Sequence, residues 1–196
     1  ANQLHTISGL IQLGEYDEVV QYVDSVSEHR AHLDLSVSRR IHDRAITALV
    51  LAKASQATER RVELRVGEDT TLSRLSPRDS ADLAAVVGNL VDNAIDASAA
   101  GAGPEKWVEL SIRQGGTTVE VVVSDSGPGV APELVTEVFT HGFTTKAAAA
   151  GERGIGLGLT RLICRRRGGE VNVENTPTGA VFTASMTVSS VPEPVR

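Results

Sequence analysis

The residues of this chain whose types and spacing can do chemistry form three groups in a fixed order. First comes an Asn-rich stretch, Gly88-Asn89-Leu90-Val91-Asp92-Asn93-Ala94. An acidic glycine turn follows, Asp125-Ser126-Gly127-Pro128-Gly129, and then a glycine run from Gly151 to Leu159 that contains Arg153, Gly154, Ile155, Gly156, Leu157 and Gly158. Glycines let a phosphate approach the backbone, and the N–H groups that open a helix at 154–158 can hold anionic oxygens. Asp125 closes an apolar run, where a carboxylate can accept from an exocyclic amino group and so choose adenine over guanine. Asn89 and Asn93 are four residues apart and share a helix face, with Asp96 on the same side. A side-chain amide oxygen can coordinate Mg²⁺ without adding negative charge beside a triphosphate. Each group also has an ordinary reading: a solvated stripe opposite Leu83, Val86, Val87 and Leu90, a common turn acid, a set of packing glycines. Taken singly, the ordinary readings win; together and in this order, the three groups predict a nucleotide site.

Between Phe139 and Gly154, the segment Thr140–Gly151 has no core-facing period and is bounded by glycines, which predicts a lid. Lys146 and Arg153 can bring positive charge to phosphates there, the alternative being a solvated loop with unrelated charges. Other nucleotide signatures are excluded. Gly154-x-Gly156-x-Gly158 is not G-x-G-x-x-G and follows an alanine-rich loop rather than a strand, and no G-x-x-x-x-G-K-[ST], H-R-D or D-F-G is present.

These groups need a scaffold. The 196 residues, 41% hydrophobic, suffice for one good core and a small helical appendage. A net charge of −6 with 3% aromatics gives neither a basic phosphate-tracking surface nor a row of stacking rings, so nucleic acid is not an expected partner. The single cysteine, Cys164, reads as a buried small residue. Leu4, Ile7, Leu10 and Ile11, then Val19, Val20, Val23 and Val26, predict a short helical hairpin, which pairs most economically with a second copy in a four-helix bundle. A third helix is expected at about 40–60, with Ile41, Ala45, Leu49 and Ala52 in register. Helices are expected at about 78–100 and 155–168, and a strand near 170–175. Alternation predicts strands at Val108–Arg113, Val119–Val123 and Ala180–Val188, the first two joined as a hairpin through Gln114-Gly115-Gly116-Thr117. The expected class is α+β: a two-layer sandwich, a mixed sheet with helices on one face, preceded by the hairpin. The domain boundaries read from this are 1–38 for the dimerisation hairpin, 39–189 for the nucleotide domain and 190–196 for a tail. No apolar run reaches the roughly 20 residues of a membrane span. The chain opens on Ala1 in what reads as mid-helix, and it is expected to be part of something longer.

The Asn stretch, the DSGPG turn, the Phe139–Lys146 segment, GERGIGLGL and the terminal Thr178-Gly179-Ala180-Val181-Phe182 resemble, box by box, the ATP-binding domain shared by histidine kinases, gyrase, Hsp90 and MutL. Ala1–Leu13 resembles the helix of citrate and dicarboxylate sensor histidine kinases, whose phosphorylated His opens a motif of the form H-E-F-x-N-x-L-H. The resemblance implies ATP or ADP with Mg²⁺, the metal on Asn93 and adenine on Asp125. It also implies nucleotide contacts from Asn89, Gly127, Gly129, Phe143, Thr144, Thr145, Lys146, Arg153, Thr183 and residues 154–158, with Asn89 and Lys146 as catalytic candidates. Gyrase-type members carry a water-activating glutamate where Asn89 stands, and a neutral amide suits a kinase, which must keep water from competing for the γ-phosphate. Many histidine kinases carry a lysine where this chain has Asp96. The alignment places the accepting His three residues before Ala1, matches His5 to the motif's second His, and gives Asn2 a phosphatase position. The implied setting is the cytoplasmic side of a membrane sensor, dimeric through the N-terminal helices and working with a response regulator. Two alternatives are a serine-kinase anti-sigma factor with the same ATP domain and a non-catalytic dimeric phosphotransfer scaffold.

Overall fold

The computed structural model describes residues 37–131 and 156–189, and in the N-terminal segment positions 11, 12, 16, 18 and 20, which are helical. Apart from those positions, the predicted hairpin lies outside the described residues, as do the predicted lid and residues 190–196. Helices α1 (Arg44–Glu59), α2 (Pro77–Ala100) and α3 (Gly156–Arg166) accompany strands β1 (Glu63–Val66), β2 (Trp107–Gly115), β3 (Thr118–Asp125), β4 (Val171–Thr176) and β5 (Gly179–Thr187). The sheet order is β1-β2-β3-β5-β4. β1 runs parallel to β2 and every other pairing is antiparallel, so the sheet is mixed, as expected.

Side chains alternate between sheet faces, and the apolar set on each long strand falls on one face. Val108, Leu110 and Ile112 of β2, Val119, Val121 and Val123 of β3, and Phe182, Ala184 and Met186 of β5 are all buried. Against them α2 lays Leu83, Val86, Val87, Leu90, Val91, Ala94 and Ile95, each fully buried. Burying a large aliphatic side chain is worth roughly 1.5–3 kcal/mol, so this layer is the main source of stability. α2 is therefore the central rod of the domain, with α1 and α3 packed beside it.

Local chemistry fixes where α2 begins. Ser76 caps it by accepting from the Asp79 N–H, and Pro77 takes a first-turn position, where a missing N–H costs nothing. Asp43 caps α1 through Ala45 and Ile46, and its carboxylate also accepts from the Ser80 hydroxyl and the Leu75 N–H. One buried acid thus ties together the starts of two helices. That cap also corrects the reading of the third helix. The helix begins at Arg44, and Ile41 stands before it in a bridge to Leu72. The buried stripe is Ile46, Val50 and Ala57, while Ala45 and Ala52 face solvent. Val37 and Ile41 both belong to the domain core. β1, which pairs beside β2, was not among the strands expected from the sequence.

Candidate nucleotide-binding site

Asp125 ends β3 on the inner face and is 2% exposed. Its Oδ1 accepts from the Gly127 N–H at 2.8 Å and the Ala180 N–H at 3.3 Å; among the described residues no hydrogen bond ends on Oδ2. Burial pushes this carboxyl above the usual carboxylate range, and the two N–H donors oppose that rise without cancelling it. A buried acid with one oxygen held and the other taking no hydrogen bond from the described residues can accept from a donor brought to it.

The turn that follows is fastened to α2. Ser98 Oγ donates to the Trp107 carbonyl at 2.8 Å and accepts from the Ser126 N–H at 3.2 Å, while Ser126 Oγ accepts from the Trp107 N–H at 2.9 Å. Gly127 then passes so close to the helix that a Cβ on it would lie 2.8 Å from Ala97 Cβ. No larger residue fits there without moving α2.

At the other end of the site, Asn89 Nδ2 donates to the Gly156 carbonyl at 3.2 Å, with Thr160 Oγ1 at 3.4 Å. Thr160, fully buried, donates to the same carbonyl at 2.9 Å. These bonds seat the first turn of α3 against α2. The opening N–H groups of a helix have no partner within it and carry its positive dipole end, so Gly156, Leu157 and Gly158 form a place for anionic oxygens.

Asn89, Asn93 and Ala97 follow one another at four-residue intervals and therefore line one face of α2. Asn89 touches the start of α3 and Ala97 touches the Asp125 turn. The eight residue steps from Asn89 to Ala97 span about 12 Å of helix, and Asn93 sits midway. It is half-buried and makes no side-chain hydrogen bond to another described residue. The arrangement is linear: an acceptor for an amino group at one end, a neutral oxygen donor in the middle and helix N–H groups at the other.

Residues 78–190 match the model of the histidine kinase-, DNA gyrase B- and HSP90-like ATPase family, more than half of the chain. The chain belongs to this family. A second match, over residues 1–36, is to the α-helical domain of SpoOB-type sensor kinases. The sensor histidine kinase DpiB of Escherichia coli K12 is 36% identical over 184 residues, covering 93% of this chain and 33% of DpiB. The sensor protein CitS of Bacillus subtilis 168 is 36% identical over 187 residues, again 93% of this chain and 33% of the relative. The chain thus spans about a third of the length of these curated relatives. Among solved structures, the catalytic domain of histidine kinase ThkA superposes with a TM-score of 0.60 at 27% identity, covering 74% of this chain and 90% of ThkA's domain. This is a histidine kinase ATPase domain, and its fold is that of an ATP-binding module.

In this ATPase domain the structure brings together Asp125, Gly127 and Gly129 at one end of the line and Asn89, Gly156, Leu157 and Gly158 at the other. Thr183 stands apart. It pairs with Val122, and the inner face of β5 is taken by Ala180, Phe182 and Ala184, so the period of two turns Thr183 away from Asp125. Asp96 is engaged by Arg60, just past α1, and Asp92 by Lys53 at 2.6 Å. Asn2, Phe143, Thr144, Thr145, Lys146, Arg153, Gly154 and Ile155 lie outside the described residues. Cys164 is fully buried, as expected, and its thiol is pushed up to about 11 by that burial. Ser98 and Ala97 are absent from the sequence reading, and Ala180 enters it only as part of a strand and of the terminal box. Small residues on a buried helix face look like packing, and the four-residue interval from Asn89 through Asn93 to Ala97 was the available signal.

Proposed function

We propose that this chain is the catalytic core of a two-component sensor histidine kinase, binding ATP with Mg²⁺ and passing the γ-phosphoryl group to a histidine and then to an aspartate of a response regulator. The observation that carries the nucleotide assignment is Asp125, buried, with no described residue donating to its Oδ2. The adenine amino group donates to that oxygen, and the chain of the nucleotide runs along α2 toward α3. The N–H groups of Gly156, Leu157 and Gly158 neutralise phosphate oxygens. Asn93 would offer Mg²⁺ a hard, neutral oxygen, and the ion would supply charge neutralisation at the phosphates. Positioning and charge neutralisation supply most of the rate in such transfers. Asn89 contributes no base. Its amide holds the Gly156 carbonyl, so water near the γ-phosphate is left without a general base from this position.

One of the two curated relatives is named a sensor histidine kinase and the other a sensor protein, and the SpoOB-type match over 1–36 supports a helical dimerisation and phosphotransfer segment rather than the anti-sigma alternative. Homodimerisation through those helices, and attachment to the cytoplasmic side of a membrane sensor, belong to the same proposal. No helix among the described residues is itself long and apolar enough to cross a membrane. The protein that carries this domain, incubated with γ-labelled ATP and Mg²⁺, is expected to acquire label that is acid-labile and alkali-stable, as a phosphorus–nitrogen bond requires. Acid-stable label would point to a hydroxyl acceptor and overturn the histidine assignment. Asn93→Ala should reduce the Mg²⁺-dependent part of ATP affinity by calorimetry, and an equal loss with and without Mg²⁺ would remove Asn93 from the metal.

A further inference from the structure

Asn175, in the exposed end of β4, has no role in the boxes above, yet its carboxamide makes both of its hydrogen bonds to one residue. Oδ1 accepts from the Val130 N–H at 2.8 Å and Nδ2 donates to the Val130 carbonyl at 2.6 Å. Val130 is the residue at which the chain leaves the DSGPG turn, and its side chain packs against the core. The side chain of Asn175 therefore does what a neighbouring strand would do, satisfying donor and acceptor of the same residue. Gly129, immediately before, adopts φ +78° and lies against the same carboxamide, so a Cβ there would fall 2.8 Å from Asn175 Oδ1.

We infer that Asn175 is a positioning residue for adenine recognition. The turn from Asp125 to Val130 is held at both ends, by Ser98 at Ser126 and by Asn175 at Val130, with Gly127 and Gly129 suspended between the anchors. Ser98 holds the turn down on α2, and Asn175 holds its exit on the β4–β5 hairpin, the hairpin that also supplies the Ala180 N–H to Asp125. With both anchors made, the glycine backbone keeps a fixed distance from the open oxygen of Asp125, and the purine edge meets a preformed rim. With the Val130 anchor lost, the turn samples other positions and the contrast between adenine and guanine shrinks. Because Asn175 is exposed and outside the core, its loss affects the turn more than the stability of the domain.

The inference rests on the reading of Asp125 as the adenine acceptor, and one experiment separates the two. Affinities for Mg·ATP and Mg·GTP are measured by calorimetry on the unmodified chain, on Asn175→Ala and on Asn175→Asp, with thermal melts of all three. The unmodified chain should prefer ATP; no preference would overturn the Asp125 reading itself. Asn175→Ala should weaken ATP about five- to tenfold, the worth of one or two hydrogen bonds, and leave GTP unchanged at a preserved melting temperature. Asn175→Asp keeps the acceptor but turns a carboxylate on the Val130 carbonyl, and should lower the ATP-to-GTP ratio at least as much. An unmodified chain that prefers ATP, with a ratio unaltered in both variants, would refute the positioning role. So would a parallel loss of both nucleotides with a lowered melting temperature, the mark of a merely structural residue.

Discussion

The α2–α3 pair has two ends built on opposite principles. At the start of α2 and just past α3, charges are saturated. Arg167 donates to Asp79 Oδ1 at 2.5 Å and to Asp82 Oδ2 at 2.8 Å, and Arg166 donates to Asp82 Oδ1 at 2.7 Å. The Ser76 hydroxyl and the Ser189 N–H take Asp79 Oδ2. Asp79 is 1% exposed, and every oxygen it has is satisfied from within the chain. At the other end of the pair, Asp125 is as deeply buried, but neither its Oδ2 nor the Asn93 amide is hydrogen-bonded to a described residue. The same burial that yields rigidity where partners are supplied yields binding capacity where they are withheld. The clamp end holds the helices in register so that the open end can wait for a ligand.

The largest effect expected from this contrast is at Arg167. Arg167→Ala leaves the buried Asp79 without its cation and Asp82 with Arg166 alone, and removing one partner of a buried pair costs about 3–5 kcal/mol. Thermal denaturation should show a large fall in melting temperature; a variant that melts like the parent would dismiss the clamp. Asp125→Asn should do the reverse at neutral pH, leaving the melting temperature unchanged or slightly raised, because it removes a buried charge whose protonation the fold already favours.

Acid offers a second way to separate the ends. Burial pushes Asp79 and Asp82 upward, but their hydroxyl, N–H and arginine partners outweigh it and hold both below the usual carboxylate value. A depressed folded value stabilises the fold at pH above the unfolded value, about 4, and that contribution is lost as pH falls through the folded values. Asp125 has the opposite sign: its raised folded value makes protonation favour the fold as pH drops toward the ordinary carboxylate value. Denaturant titrations from pH 7 to pH 3 should show a fall below about pH 4 that Arg167→Ala blunts. An equal fall in both proteins would mean that other carboxylates set the acid limit. The smallest effect expected is at Lys53→Ala, since Asp92 is 42% exposed and such pairs are worth under about 1 kcal/mol.

The contrast also explains what could be read from the sequence. The site end was legible because its chemistry restricts residue type locally: an acid closing a strand, glycines within four residues of it, two amides one helical turn apart. The hairpin through Gly116 and the helix 77–100 were legible for the same reason, each carrying its turn or cap in its own residues. The clamp end was not. Arg167 and Asp79 are 88 residues apart, and nothing in Gly168-Gly169 or Pro77-Arg78 announces that they meet. Strand β1 is four residues long with alternating Glu and Arg, too short for period two to stand out, and it needs its parallel partner β2 to form. Thr183 lies in a box whose residue string does not show which face of β5 each side chain takes. The phase of α1 is set by the Asp43 cap, which its residue type alone does not distinguish from a surface acid.

The most direct test of the account is a calorimetric titration of Mg·ATP and Mg·GTP into the unmodified chain and into Asp125→Asn. The account predicts that the unmodified chain prefers ATP and that the variant loses roughly 1–3 kcal/mol of ATP affinity, about 5- to 150-fold, with its melting temperature intact. ATP affinity unchanged in a folded Asp125→Asn would contradict the claim that this buried, half-satisfied carboxylate is what the domain keeps open for adenine.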